Sequence, residues 1–226
     1  STIFAPFTVK FNYHTNDLHY LNIFIKKTLL ILFPVFIIFT INFLSILKNF
    51  ILSWVGDGYF ESINIAFLFI LSFTFSAISF VTVAYLTTIQ DLKKLNIISF
   101  LQSFIFWVSV FVFSTFFLNL YNYIALKISI IIFTDLIFFL ILVKKVNLNI
   151  ITFLKINLSN LLLPLILITV FNYCFLDLLP VEKSKINLLL VISYFGITFF
   201  IGLSSLILVS KDHQKILFRF KNTFIK

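Results

Sequence analysis

Residues 62–87 read SINIAFLFILSFTFSAISFVTVAYLT, a stretch of about 26 residues without a charge. Glu61 closes it on one side, and the short basic turn Gln90-Asp91-Leu92-Lys93-Lys94 closes it on the other. A helix crosses a hydrocarbon slab of about 30 Å with roughly 20 apolar residues, so this stretch is long enough to span with some tilt. Burying either flanking carboxylate in lipid would cost several kcal/mol, which sets the two ends. Upstream stands a polar turn, Trp54-Val55-Gly56-Asp57-Gly58-Tyr59-Phe60.

Composition extends that reading to the whole chain. Of the 226 residues, 61% are hydrophobic and 11% charged, and the mean hydropathy is +1.13. Soluble domains run near 45–50% and 25%, and a soluble core could not hide this much apolar surface. The expected fold is all-α, a polytopic transmembrane bundle of about six spans. The 34 Phe residues are read as lipid-facing surface and AT-rich coding, not as a stacking site. The single cysteine, Cys174, lies in an apolar segment, so neither a disulfide framework nor a thiolate metal cluster is expected. No cofactor and no metal are called for.

The chain starts at Ser1 and contains no Met. Residues 1–9 are read as the end of a truncated upstream helix, and no signal peptide is recognised. Residues 10–27 form a polar connector with Lys10, His14, Asp17, His19, Lys26 and Lys27. Spans are expected near 28–47, 62–87, 96–118, 123–143, 158–176 and 186–209, with Pro34 and Pro164 inside the first and fifth. A basic connector, 144–155, precedes the fifth. Residues 210–226 are expected to form a basic amphipathic cytoplasmic tail, with Ile216, Leu217, Phe220 and Phe224 opposite Lys215, Arg219 and Lys226.

Alternate loops then carry unequal charge. With residues 10–27 on the cytoplasmic side, 13 of the 17 basic residues face that side and 4 face the other. This is the positive-inside bias, and it predicts both chain ends cytoplasmic. It also removes nucleic acid as a partner, since the positive charge serves topology and anionic headgroups.

Chemistry-bearing patterns are few. There is no phosphate-cradling glycine loop, nucleophile elbow or paired-histidine metal motif, and the protein is not expected to be an enzyme. His14, His19 and His213 are read as solvated. The one charge well inside a span is Asp135. An ionised carboxylate near the bilayer centre costs ~2.5–3.5 kcal/mol on insertion scales. It should face a watery cavity or a cation as part of a substrate or ion pathway, or be protonated and bonded to Ser or Thr of a neighbouring helix. Asn42, Asn64 and Gln102 are assigned to positions near polar helix ends. Ser76, Ser79, Ser99, Ser103, Ser193, Gly196, Gly202 and Ser205 are assigned to close helix packing.

Three features together resemble a known family: the Pro-ended helix Phe4-Ala5-Pro6, the connector pair Asn16-Asp17, and the turn Trp54-Val55-Gly56-Asp57-Gly58-Tyr59 before a helix and the turn Asp91-Leu92-Lys93-Lys94. Residues 1–118 are similar to the C-terminal half of the polysaccharide flippases, the O-antigen-type exporters of lipid-linked oligosaccharides within the multidrug/oligosaccharidyl-lipid/polysaccharide superfamily. The resemblance implies one lobe (10–209) of a two-lobe transporter in the bacterial inner membrane. It implies translocation of an undecaprenyl-diphosphate-linked oligosaccharide for surface polysaccharide synthesis. Partners would be that substrate, membrane lipids and other polysaccharide assembly proteins. The sequence departs from the family at Leu118-Asn119-Leu120-Tyr121-Asn122-Tyr123, where a Pro- and Gly-rich turn is usual. Alternatives are a cation-coupled multidrug antiporter of the same superfamily, a non-transporting scaffold, and an integral glycan polymerase.

Overall fold

In an apolar solvent every backbone N–H and C=O must be satisfied within its own segment, so a chain this hydrophobic is driven to helices. The computed structural model describes residues 18–59, 61–112, 114, 119–210 and 213–214. Among these, six long helices and no strand are found: α1 (Leu18–Trp54), α2 (Glu61–Thr88), α3 (Leu92–Val112), α4 (Leu120–Val146), α5 (Ile150–Phe175) and α6 (Lys185–Val209). Short 3-10 turns stand at Asp57–Tyr59 and Leu176–Leu178. All six helices are long and apolar enough to cross a membrane.

The helix ends correct the expected spans. Residues 18–27, assigned to a polar connector, are the opening turns of α1. Leu21, Ile25 and Leu29 recur every four residues and are all buried, so one apolar stripe carries the helix through its charged stretch. At 37 residues, α1 is about 55 Å long. The basic connector 144–155 is largely helix as well. Lys144 and Lys145 occupy the last turn of α4, where cations favour the negative helix end. Asn147, in the left-handed region at φ 52°, stops the helix by donating to the Val143 carbonyl, and α5 restarts at Ile150. Likewise α3 starts at Leu92 instead of residue 96, with Lys93 and Lys94 in its first turn. The end assigned to that span, the first nine residues and most of the tail lie outside the described residues.

Other ends have local causes. Asn119 caps α4 by accepting from the Tyr121 N–H at 2.9 Å. α1 ends at Trp54 and is closed off by Gly56, whose N–H reaches the Leu52 carbonyl at 3.0 Å and whose φ is +98°. A Cβ there would also come within 3.3 Å of Lys183 Cδ. Gly56→Ala is therefore expected to cost about 1–2 kcal/mol, the left-handed penalty for an L-residue. A fall in melting temperature in detergent would register it, and an unchanged melting curve would contradict it.

The chain divides into two compact units. One comprises residues 18–29 with 68–150. Its core is built from the start of α1, the Ala77–Val81–Tyr85 face of α2, and Ile128, Phe138 and Leu142 of α4. α3 contributes no buried residue. It lies along α4, with the Phe106 and Tyr123 rings 5.5 Å apart, and leaves Phe100, Phe104, Trp107 and Phe111 exposed for lipid. In this unit the α2–α3 and α4–α5 turns meet, because Lys145 reaches Asp91 at 3.1 Å.

The other unit comprises residues 30–67 with 151–214. One core layer joins Ile38, Leu161, Ile168 and Leu206, and a second joins Ile46, Val191 and Tyr194. Phe39, Phe43 and Phe195 pack edge to face, with centroids 5.4 Å apart in the Phe39–Phe195 and Phe43–Phe195 pairs. Its two loops on one side also meet, through the Ser184 N–H donating to the Ser53 carbonyl at 3.2 Å. Of the small residues assigned to packing, Ser79, Gly202 and Ser205 are buried, and Ser76 bonds across to α4. Ser99, Ser103, Ser193 and Gly196 are exposed, and nothing lies near a Cβ built on Gly196.

Candidate functional site

Asp135 sits in the middle of α4 and is only 7% exposed. A helical face that buries Ile128, Phe138 and Leu142 carries this carboxylate inward with it. From α2, Ser76 donates its hydroxyl to Asp135 Oδ2 at 2.7 Å, a length typical of a strong O–H···O bond. Ser79, one turn further along, returns its own hydroxyl to the Ser76 carbonyl at 2.9 Å. No cation pairs with Asp135 among the described residues. The hydroxyl partner expected of a membrane carboxylate is thus present.

Beside it, between α3 and α4, runs a narrow cleft of about 300 Å³ lined by Gln102, Ser129, Phe133 and Thr134 among aliphatic residues. Thr134 and Ser129 turn their hydroxyls back to the Ile130 and Ala125 carbonyls. Gln102 was assigned to a polar helix end. With α3 running from Leu92 to Val112, it lies at mid-helix instead. Asn64 is exposed in the first turn of α2, as expected.

The second unit holds a polar chain that sequence reasoning missed. Tyr194 of α6 donates to Asn172 Oδ1 at 2.8 Å, Asn172 Nδ2 donates to Ser45 Oγ at 3.0 Å, and Ser45 donates to the Asn42 carbonyl at 2.7 Å. Asn42 itself, assigned near an interface, is wholly buried and donates to the Phe195 carbonyl at 3.1 Å. The α1 surface that carries Ile38 and Ile46 inward also carries Asn42, at four-residue spacing. The signal was in the sequence: Asn42, Ser45 and Asn172 interrupt otherwise apolar runs. Next to this chain opens a cleft of about 640 Å³, lined by Ser45, Thr169, Asn172, Tyr173 and Asp177 among others. Asn157, unremarked in the sequence, is also wholly buried, donating to the Phe153 carbonyl at 2.8 Å. The Oδ1 atoms of Asn42 and Asn157 have no hydrogen-bond partner among the described residues.

The histidines divide. His19 is exposed, and His14 lies outside the described residues. His213, expected to be solvated, is buried. Its Nδ1 lies 2.7 Å from Ser210 Oγ and its Nε2 3.1 Å from the Ile31 carbonyl. Ile31 falls in the turn before Pro34, and its carbonyl is the acceptor for His213 across the unit.

At the lysine-rich end of the first unit, Asp91 accepts from Lys94 at 3.0 Å and from Lys145 at 3.1 Å. The hydrogen bond from Lys94, then that from Lys145, holds its carboxyl below the usual carboxylate range. A depressed folded-state value means the tie is fully present above the ordinary unfolded value of about 3.9, and is lost as pH falls through the lower folded value. The melting temperature of wild type minus that of Asp91→Asn should therefore be flat around neutrality and shrink only in acid. A difference that changes near neutral pH would contradict this assignment.

These features define an all-α, membrane-embedded protein with, among the described residues, six helices long and apolar enough to span a membrane and with polar side chains joined inside each unit. Comparison with known protein families, with curated proteins and with solved structures found no match for the chain.

Proposed function

We propose that the protein takes part in translocating an undecaprenyl-diphosphate-linked oligosaccharide from the cytoplasmic to the outer leaflet of the bacterial inner membrane, with its lysine-rich loops cytoplasmic. The observation that carries this reading is the turn Trp54-Val55-Gly56-Asp57-Gly58-Tyr59, on which the flippase resemblance rests. In this chain it is a helix end at Trp54, a left-handed glycine and a 3-10 turn. Support also comes from polar groups placed inside apolar helices, which a substrate-sheltering cavity requires and a purely lipid-facing bundle does not. Alternating access would proceed by rocking of whole helical lobes, with no covalent step.

Deleting the gene should remove surface glycan and leave the lipid-linked unit on the cytoplasmic leaflet. Normal surface glycan in the deletion strain would end the proposal. A tag in the Gly56–Gly58 turn should be reachable only from outside the cell.

One observation favours a second reading. Asp135, buried and bonded to Ser76, is the group a cation-coupled antiporter would load and unload. Drug resistance conferred by the full chain, with no glycan defect on deletion, would select that reading.

A further inference from the structure

The start of α1, the α2–α3 turn and the end of α4, all in one unit, enclose a cleft of about 500 Å³ whose lining includes Asn22, Tyr85, Gln90, Asp91 and Lys145. Its polar groups are mostly donors. Tyr85 donates its hydroxyl to Asn22 Oδ1 at 2.8 Å. That bond occupies the amide oxygen and leaves the two Asn22 N–H bonds to donate. Gln90, held in the left-handed region at φ 58°, adds a second amide.

The single charged acceptor is already outnumbered. Asp91 takes a hydrogen bond from Lys94 and another from Lys145. Each ammonium has three N–H donors, so both keep donors to spare after binding the carboxylate. The trio carries one surplus positive charge, and Lys93 and Lys144 stand exposed beside it in the chain. The cleft lies at the ends of membrane-spanning helices, the depth at which headgroups sit. Basic pockets between such helices recognise phosphate headgroups.

We propose that this cleft binds a phosphate group, carried by an anionic lipid headgroup or by a soluble phosphate ester. The phosphate oxygens would take N–H groups of Lys145 and Asn22 in competition with Asp91, and Lys94, bonded to Asp91, adds its charge beside them. The site does not depend on the transport reading, and it would be occupied in a scaffold as readily as in a flippase.

The test uses the full chain in nanodiscs of phosphatidylcholine, with and without phosphatidylglycerol. Native mass spectrometry counts the retained lipids. A second arm titrates glycerol phosphate into phosphatidylcholine-only discs and follows the melting temperature. Lys145→Gln is expected to lower phosphatidylglycerol retention, or the glycerol phosphate effect, about tenfold, equivalent to about 1.4 kcal/mol. Lys185→Gln, in the other unit, should leave both unchanged. Response in the first arm alone names a lipid as the source, and response in the second names a soluble ester.

Loss of the Asp91 tie could destabilise Lys145→Gln, so Asn22→Leu provides a charge-neutral variant that keeps the ion cluster, and it too should weaken binding. Asp91→Asn leaves both lysines uncompensated and should raise retention, which a purely structural ion pair would not do. Retention and titration in Lys145→Gln and Asn22→Leu equal to those of Lys185→Gln would overturn the proposal. So would retention in Asp91→Asn that is unchanged or reduced.

Discussion

Gly202→Val should destabilise the protein by about 1–3 kcal/mol, the usual cost of forcing extra methyl groups into a packed core. Gly202 is buried on α6 where three helices converge. A Cβ at this position would lie 2.8 Å from Ile168 Cδ1 on α5 and 2.8 Å from Ile38 Cγ2 on α1. The first contact involves the far end of a flexible side chain and can be relieved by rotation. The second cannot, because Ile38 is β-branched and its Cγ2 is held by a stiff χ1 in a helix. Gly202→Ala should therefore cost less, since the loss in packing is partly offset by up to ~1 kcal/mol of gained helix propensity. Adding Ile38→Ala to Gly202→Val should recover part of the loss, a coupling expected only between residues in contact. Thermal unfolding in detergent reads all four proteins, and a Gly202→Val melting curve overlying wild type would refute the close approach.

On the proposed transport reading, Asp135→Asn should keep the fold and reduce transport at least about tenfold, which corresponds to about 1.4 kcal/mol. The substituted amide is nearly the same size and its oxygen can still accept from Ser76, so packing is preserved. What disappears is the ability to gain and lose a proton or hold a cation. Ser76→Ala separates the two roles. It removes one hydrogen bond, worth about 0.5–1.5 kcal/mol net, and leaves the carboxylate in place. If transport in Asp135→Asn equals wild type while Ser76→Ala lowers stability, Asp135 is a packing residue and the ion-coupling role is lost. The readout is uptake or flipping in reconstituted vesicles alongside a melting curve, so that loss of function is not confused with loss of protein.

Helix existence was legible because it follows from solvent alone. Runs such as 62–87 contain no charge, and backbone in lipid has no alternative to internal hydrogen bonding. Helix ends were less legible because charge was read as a stop signal. Lys26, Lys27, Lys144, Lys145 and Lys155 all lie inside helices. A lysine near a helix end can run its long stem toward the headgroups, so it marks the membrane boundary without marking the end of the helix. The true stops are backbone conformations at Gly56, Gln90 and Asn147, and only the glycine advertises itself by residue type.

Asp135 stood out in the sequence because a lone carboxylate in an apolar run has few innocent explanations, and a hydroxyl partner was among those named. That the partner is Ser76, 59 positions away, depended on which faces of α2 and α4 meet. His213 shows the limit of local reading. Its neighbours are polar, yet a carbonyl in the turn before Pro34, 182 positions away, draws it into the interior.

The amino-acid sequence by itself determined that the chain is helical and that it has about six stretches long and apolar enough to span a membrane. Each of these follows from single-residue transfer between water and lipid, which needs no knowledge of neighbours. Only the tertiary structure decided which polar groups are joined: Tyr194 with Asn172 and Ser45, Asp91 with two lysines, Asp135 with Ser76. A side chain's partner depends on the rotation of one helix against another, and in lipid the apolar surfaces of helices are too alike for hydrophobicity to fix that rotation.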